Sequence, residues 1–226
     1  MTMRTITSAR KEFSPFPDPL PANSTGPAVH IQELFEQGPL PRFVSRGSLI
    51  SLQGDTADTL YQILSGTVRC YLIDKSGQRR IVRFARPGDI LGLSAVETWH
   101  LTKEAIDDVV LRAITRDMFE TAFDRSPRLR REVRQLLLEE IEEREHLVNE
   151  LAQFHAADRL LHFLTAFSDR APRRDNWFIL PMGRNDLADY LGLSFETVSR
   201  CFGALRDRGS IVMDGINRYR LCRQAG

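Results

Sequence analysis

Arg184-Asn185-Asp186-Leu187-Ala188-Asp189-Tyr190-Leu191-Gly192-Leu193-Ser194-Phe195-Glu196-Thr197-Val198-Ser199-Arg200-Cys201-Phe202-Gly203-Ala204-Leu205-Arg206-Asp207 is the stretch on which the reading of this chain turns. Leu187, Ala188 and Leu191 give a short helix one apolar face. Gly192 can take the left-handed conformation that a tight turn needs, Leu193 plugs the corner, and Ser194 is a natural N-cap for a second helix. On that second helix Val198, Phe202 and Leu205 share one side, while Phe195, Glu196, Ser199 and Arg200 share the other. Two short helices about a glycine corner, the second with a polar outer face, predict a helix-turn-helix.

The outer face has a chemistry suited to base edges. Arginine can donate two hydrogen bonds to guanine O6 and N7, and glutamate can accept from cytosine N4. Glu196 and Arg200 are helix neighbours, able to read one G·C step and to orient each other. On an isolated helix such a pair is ordinarily a solvated salt bridge. Just after the N-cap of the second helix of this motif, base reading is the stronger expectation, with Phe195, Glu196, Ser199 and Arg200 as the candidates. Downstream, Arg206-Asp207-Arg208-Gly209 ends the helix on basic residues and glycine. Ile211 to Leu221 then reads as a hairpin turning at Asp214-Gly215, with Arg218 and Arg220 on one face. A winged helix-turn-helix is predicted over residues 158–226, with Arg184, Thr197, Arg206 and Arg218 as candidate phosphate contacts that set register without reading sequence. From Arg170 onward ten arginines face six acids, an excess of four positive charges in a chain whose net charge is only +1.

That overall balance, 31 basic against 30 acidic residues in 226, excludes a protein that coats polyanions by bulk charge. Apolar residues at 42% are enough for a packed core. No run approaches the ~18–20 apolar residues of a membrane span, and the first residues, Met1 to Ile6, lack the apolar stretch of a signal peptide. Three cysteines, Cys70, Cys201 and Cys222, are too few for a disulfide framework. A cytoplasmic protein without membrane contact is expected.

Residues 1–28, with Pro15, Pro17, Pro19, Pro21 and Pro27, predict an irregular arm. A short helix follows, His30 to Gln37, with Ile31, Leu34 and Phe35 at helical spacing. Between Arg42 and Thr115 short apolar runs alternate with glycines, as in Leu49–Leu52, Leu60–Leu64, Val68–Ile73 and Ile81–Phe84, which reads as a β-sandwich or barrel within a unit spanning 29–125. Asp74-Lys75-Ser76-Gly77 reads as a hairpin turn. After a short helix from Asp117 to Phe123, Ser126 and Pro127 form an N-cap and first-turn pair opening a helix over 126–157. Val133, Leu137, Ile141, Arg144, Val148 and Leu151 mark a narrow stripe along it, flanked by charge, which suits pairing with a second copy. Leu136 and Leu138 widen the stripe and keep core packing against the barrel open. A further helix, about Ala156 to Ser168, leads into the basic loop Arg170-Ala171-Pro172-Arg173-Arg174.

A β-roll, a long pairing helix and a winged helix-turn-helix in that order resemble the CRP/FNR family of bacterial transcription regulators. The markers are Gly54-Asp55, Ser65-Gly66-Thr67-Val68, Pro87-Gly88-Asp89-Ile90-Leu91-Gly92 and Leu191 to Arg200. The resemblance implies an α+β fold with a cyclic-nucleotide-binding-like β-roll (jelly roll), and a homodimer that binds double-stranded DNA and contacts RNA polymerase. The Glu-x-x-Ser-Arg pattern of Glu196, Ser199 and Arg200 looks like the FNR/FixK branch, whose members bind palindromes of the type TTGAT-N4-ATCAA. Phe195 departs from the smaller aliphatic residue common before the glutamate, and its ring suits either packing on a thymine methyl or a shifted half-site preference.

Other departures narrow the effector. Cyclic-nucleotide-binding members carry Gly-Glu-Leu and then Arg-Ser/Thr-Ala; here Gly92 is followed by Leu93-Ser94, and no such triplet occurs before Arg112. A buried phosphate without its arginine is unsatisfied. Oxygen-sensing FNR proteins hold an iron–sulfur cluster on an N-terminal cysteine group, and here no cysteine precedes Cys70. His30, His100, His146, His155 and His162 show no zinc spacing, so no metal is expected; a haem-binding regulator, which needs few ligands, stays open. What remains is similar to the FixK subgroup, which has no recognised cofactor. Cys201, beside Arg200, is a possible redox input if it faces outward, and inert if it faces inward beside Phe202. The rival is a ligand-binding β-roll whose C-terminal module docks on protein. No nucleophile–base pair or phosphate loop suggests an enzyme.

Overall fold

In a computed structural model, residues 29–93, 97–171 and 175–222 are described; the expected arm and residues 172–174 of the basic loop lie outside them. After helix α1 (Ile31–Glu36), the glycine-punctuated region forms eight strands. These are β1 (Arg42–Val44), β2 (Leu49–Ser51), β3 (Thr59–Ser65), β4 (Val68–Ile73), β5 (Arg79–Ala85), β6 (Ile90–Leu91), β7 (Thr102–Ala105) and β8 (Val109–Thr115). They pair antiparallel into two four-stranded sheets, ordered β1-β8-β3-β6 and β2-β7-β4-β5. Tyr61, Ile63, Val68, Cys70, Trp99, Val109 and Leu111 fill the space between them. Gly66, between β3 and β4, has φ +84°, and a Cβ there would stand 2.3 Å from the Asp108 carbonyl oxygen. Only glycine fits that close approach. At the expected hairpin the Asp74 carboxylate accepts from the Ser76 and Gln78 backbone amides at 2.9 and 3.0 Å.

An amine is buried in the roll. Lys103 on β7 is 5% exposed. Its Nζ lies 3.3 Å from the centre of the Trp99 ring and donates to Ser51 Oγ at 3.2 Å. Burial pulls its pKa down to about 8.

Helix α2 (Arg116–Arg125) and the long α3 (Pro127–Gln153) follow. Ser126 Oγ caps α3 by accepting from the Leu129 amide at 3.2 Å, with Pro127 in the first turn, as the residue pair predicts. The apolar stripe of α3 divides in two. Val133 is 4% exposed and packs with Leu129, Phe119, Leu34 and Phe35 in the subunit's own core, with Leu136 and Leu137 against it. Val133 is thus corrected from seam residue to core residue, because α1 and α2 cover the first turns of α3. Beyond them Ile141 and Val148 are 52% and 65% exposed, Arg144 is exposed and Leu151 half-buried.

Helix α3 stops at Gln153, short of the expected end near Ala157. Phe154 and His155 are extended, with ψ of 147° and 156°, before α4 (Ala156–Arg170) begins. Neither glycine nor proline marks this break. Arg159 Nε holds it by donating to the Phe154 carbonyl at 2.9 Å.

The remaining elements are β9 (Phe178–Ile179), α5 (Arg184–Leu191), α6 (Phe195–Asp207), β10 (Ile211–Asp214) and β11 (Arg218–Leu221). The wing hairpin pairs Asp214 with Arg218 and Ile211 with Leu221. Strand β9, unforeseen because two residues show no periodicity, adds a third strand by pairing Phe178 with Tyr219. Leu160, Leu164, Leu187, Val198, Phe202 and Leu205 form the core here, and it runs on without a gap into Tyr71, Ile81 and Phe84 of the roll.

Candidate nucleic-acid interface

The corner between α5 and α6 forms as its residues dictate. Gly192 takes the left-handed conformation at φ +64°, ψ 39°, and the Leu193 amide donates to the Ala188 carbonyl at 3.0 Å. Ser194 Oγ accepts from the Thr197 amide at 3.1 Å. Val198, Phe202 and Leu205 are at most 1% exposed, which fixes the rotation of α6 about its axis. Phe195, Glu196 and Arg200 consequently face solvent and Ser199 is half-buried. Phe195, at 46%, is a large apolar side chain left open beside charged neighbours. The helix closes on Gly209 at φ +73°, with the Ser210 amide donating to the Leu205 carbonyl at 2.9 Å.

The Glu196 carboxyl is held below the usual range by its own backbone N–H, by the Ser194 hydroxyl and by Arg200. It is therefore ionised and a pure acceptor, matched to an amino donor such as cytosine N4. Arg200 Nη2 makes a long 3.3 Å bond to Thr197 Oγ1.

The four expected phosphate residues separate. Arg184 Nη1 donates to Ser199 Oγ at 3.1 Å, and its guanidinium lies 5.2 Å from the Phe202 ring centre. It ties α5 to α6 and orients Ser199. The Thr197 hydroxyl is 3.1 Å from Ser194 Oγ, within the cap. Arg206 is exposed and pairs with Asp207 at 3.1 Å. Arg218 pairs with Asp214 at 2.6 Å and lies over the indole of Trp177, 4.8 Å from its centre. Arg220 lies over the same ring at 5.1 Å. Trp177 thus gathers both wing arginines, a role that sequence reading missed because a single tryptophan before a two-residue strand carries no pattern.

Cys201 faces inward beside Phe202 and is 6% exposed. Burial raises its pKa against the opposing pull of Arg200 and Arg208. Both facts favour the inward-facing alternative for Cys201 over a reactive thiolate. Cys70 is buried as well, its thiol pushed up to about 11 by burial. Among the described residues no group of three or more His, Cys, Asp or Glu side chains is placed to hold a metal ion. Nor is any helix among them long and apolar enough to cross a membrane.

Residues 41–126 match the cyclic nucleotide-binding domain, and residues 180–211 match the bacterial regulatory proteins of the crp family. The chain is 32% identical over 190 residues to the nitrogen fixation regulation protein FixK of Bradyrhizobium diazoefficiens, spanning 82% of this chain and 79% of that protein. It is 28% identical over 206 residues to the transcriptional activator protein anr of Pseudomonas aeruginosa, spanning 87% and 83%. The solved structure of FixK2 from Bradyrhizobium japonicum superposes with a TM-score of 0.77 at 30% identity, covering 82% of this chain and 92% of that one. These likenesses take in the roll, the long helix and the helix-turn-helix together, and on that ground the chain belongs to the CRP/FNR family of DNA-binding transcription regulators.

Proposed function

We propose that this regulator binds a TTGAT-N4-ATCAA-type operator as a homodimer, in oxygen- or redox-linked gene control and without a small-molecule cofactor. Each half-site is read by Phe195, Glu196, Ser199 and Arg200, and the bound dimer contacts RNA polymerase. The observation that carries the reading is the open face at the start of α6, where an ionised Glu196 and an exposed Arg200 stand side by side above a buried apolar side. Arg200 addresses the guanine of the half-site, Glu196 the cytosine paired with it, and Phe195 a thymine methyl. A protein-docking face would instead present apolar anchors at its centre. Dimerisation is assigned to the open part of the α3 stripe, Ile141, Arg144, Val148 and Leu151, with Leu137 at its edge. Two reading helices about 34 Å apart then enter successive major grooves.

Arg206, Arg218 and Arg220 supply phosphate contacts, the last two held on Trp177. Arg218→Ala should weaken binding to all duplexes alike and lower the slope of log affinity against log salt by about one unit per half-site, or about two for the dimer. Trp177→Ala should produce the same sequence-independent loss, since it releases both wing arginines. Titrations of matched and scrambled duplexes at several salt concentrations check both.

A gel shift of the purified chain on a TTGAT-N4-ATCAA duplex, without added ligand, tests the proposal as a whole. A shift is expected under reducing and oxidising conditions alike, with a complex of two chains per duplex by sedimentation. No shift without ligand, or one chain per duplex, overturns it.

A further inference from the structure

The helix-turn-helix is not merely tethered to the roll. Asp186, on the inward face of α5, is 7% exposed and accepts from two arginines of neighbouring roll strands, Arg69 Nη1 at 3.0 Å and Arg79 Nη2 at 2.7 Å. Arg69 is itself forked onto Glu104 of β7 at 3.1 and 2.6 Å. Arg79 also bonds Asp189, one helical turn along α5, at 2.9 Å. The rings of Phe84 on β5 and Tyr190 on α5 also meet, tilted, with centres 5.3 Å apart. The covalent link between α3 and α4 is only the extended pair Phe154 and His155, which alone leaves the helix-turn-helix free to swing. An acid in a DNA-binding module that is buried and aimed away from the reading face has no use in contacting phosphate.

We propose that Asp186, clamped between Arg69 and Arg79, is a positioning residue that sets the angle of each helix-turn-helix on its roll and so the half-site spacing that the dimer accepts. The inference rests on the two-fold operator reading given above. Adding one base pair between half-sites turns them by about 34° and parts them by about 3.4 Å. A clamped module cannot follow that change. A module without the clamp, held by the apolar core it shares with the roll and by Arg86 on the α4 carbonyls, gives way more easily, at the cost of ordering itself on the DNA.

The test measures affinities of the full chain for TTGAT-N3-ATCAA, TTGAT-N4-ATCAA and TTGAT-N5-ATCAA duplexes by fluorescence anisotropy. Asp186→Asn keeps the shape of the side chain and leaves Arg69 with Glu104 and Arg79 with Asp189. Arg79→Gln breaks the same clamp from the roll, outside the core of the helix-turn-helix. The native chain should prefer the N4 duplex, and in both variants that preference over N3 and N5 should fall about tenfold, the scale of one partly buried charge pair. The double variant should lose no more than either single one. An unchanged preference, or an equal loss on all three duplexes, overturns the role of Asp186. A native chain that binds all three alike overturns the operator reading itself, and this inference with it.

Discussion

Arg200→Ala should cost about 1–3 kcal/mol per half-site on the preferred duplex and erase the preference for guanine at one position. The argument is positional. Arg200 stands about a turn and a half into α6 on the face opposite Val198 and Phe202, and the burial of those two side chains leaves α6 no freedom to rotate it away. In the free protein its hydrogen bond from Nη2 to Thr197 Oγ1 is 3.3 Å long, so that contact costs little to break before the guanidinium can fork onto a base. Arg200→Lys separates charge from geometry. It keeps the positive charge and the salt dependence but loses the planar fork, so affinity should become indifferent to the base while staying salt-sensitive. Competition titrations with duplexes in which the half-site G·C pair is replaced, one pair at a time, measure both effects. Arg218→Ala, by contrast, should lower every curve equally. If Arg200→Ala leaves operator affinity unchanged, the reading face has been assigned wrongly.

Lys103→Met should stabilise the roll at neutral pH and remove a pH dependence that the native chain carries. Lys103 titrates in the folded state at about 8, below its ordinary 10.5, because burial disfavours the ammonium. Between these values the unfolded chain binds the additional proton, so stability of the native protein rises with pH across roughly 8 to 10.5. Below pH 8 both states are protonated and the folded state bears the whole burial penalty. The shift corresponds to a ceiling of about 3 kcal/mol, and the close Trp99 ring and the Ser51 hydroxyl offset part of it. A gain of about 1–2 kcal/mol at pH 7 is the expected size, with methionine filling the space of the lysine stem. Urea unfolding followed by tryptophan fluorescence at pH 7 and pH 10 checks it: the advantage of the variant should be clear at the first and nearly gone at the second. A variant less stable at pH 7 would mean that the ammonium's contact with Trp99 outweighs its desolvation.

The helix-turn-helix was readable residue by residue because every signal in it is local. Gly192 in the left-handed region, Ser194 accepting from the Thr197 amide, and Val198, Phe202 and Leu205 on one side all act within two turns of chain. The same holds for Ser126 with Pro127 at the start of α3, and for Asp74 closing the turn between β4 and β5. The end of α3 was not readable, since Phe154 and His155 carry no glycine or proline signal and the bond that holds the break, from Arg159 Nε to the Phe154 carbonyl, leaves no pattern in the sequence. Trp177 carried no signal at all before β11 brought Arg218 and Arg220 over its ring.

Order along the chain, the secondary structure apart from β9 and the end of α3, and the outward face of α6 were thus determined by the amino-acid sequence alone, because capping, turn chemistry and helical period need only near neighbours. Tertiary structure alone decided that Val133 is core while Ile141, on the same stripe, is open, that Cys201 points inward, and that Arg184 serves Ser199. It also decided that Asp186 meets Arg69 and Arg79, partners 117 and 107 residues away. Burial and pairing at such distances belong to the surroundings of a side chain, and those surroundings exist only once strands, stalk and helix-turn-helix have packed together.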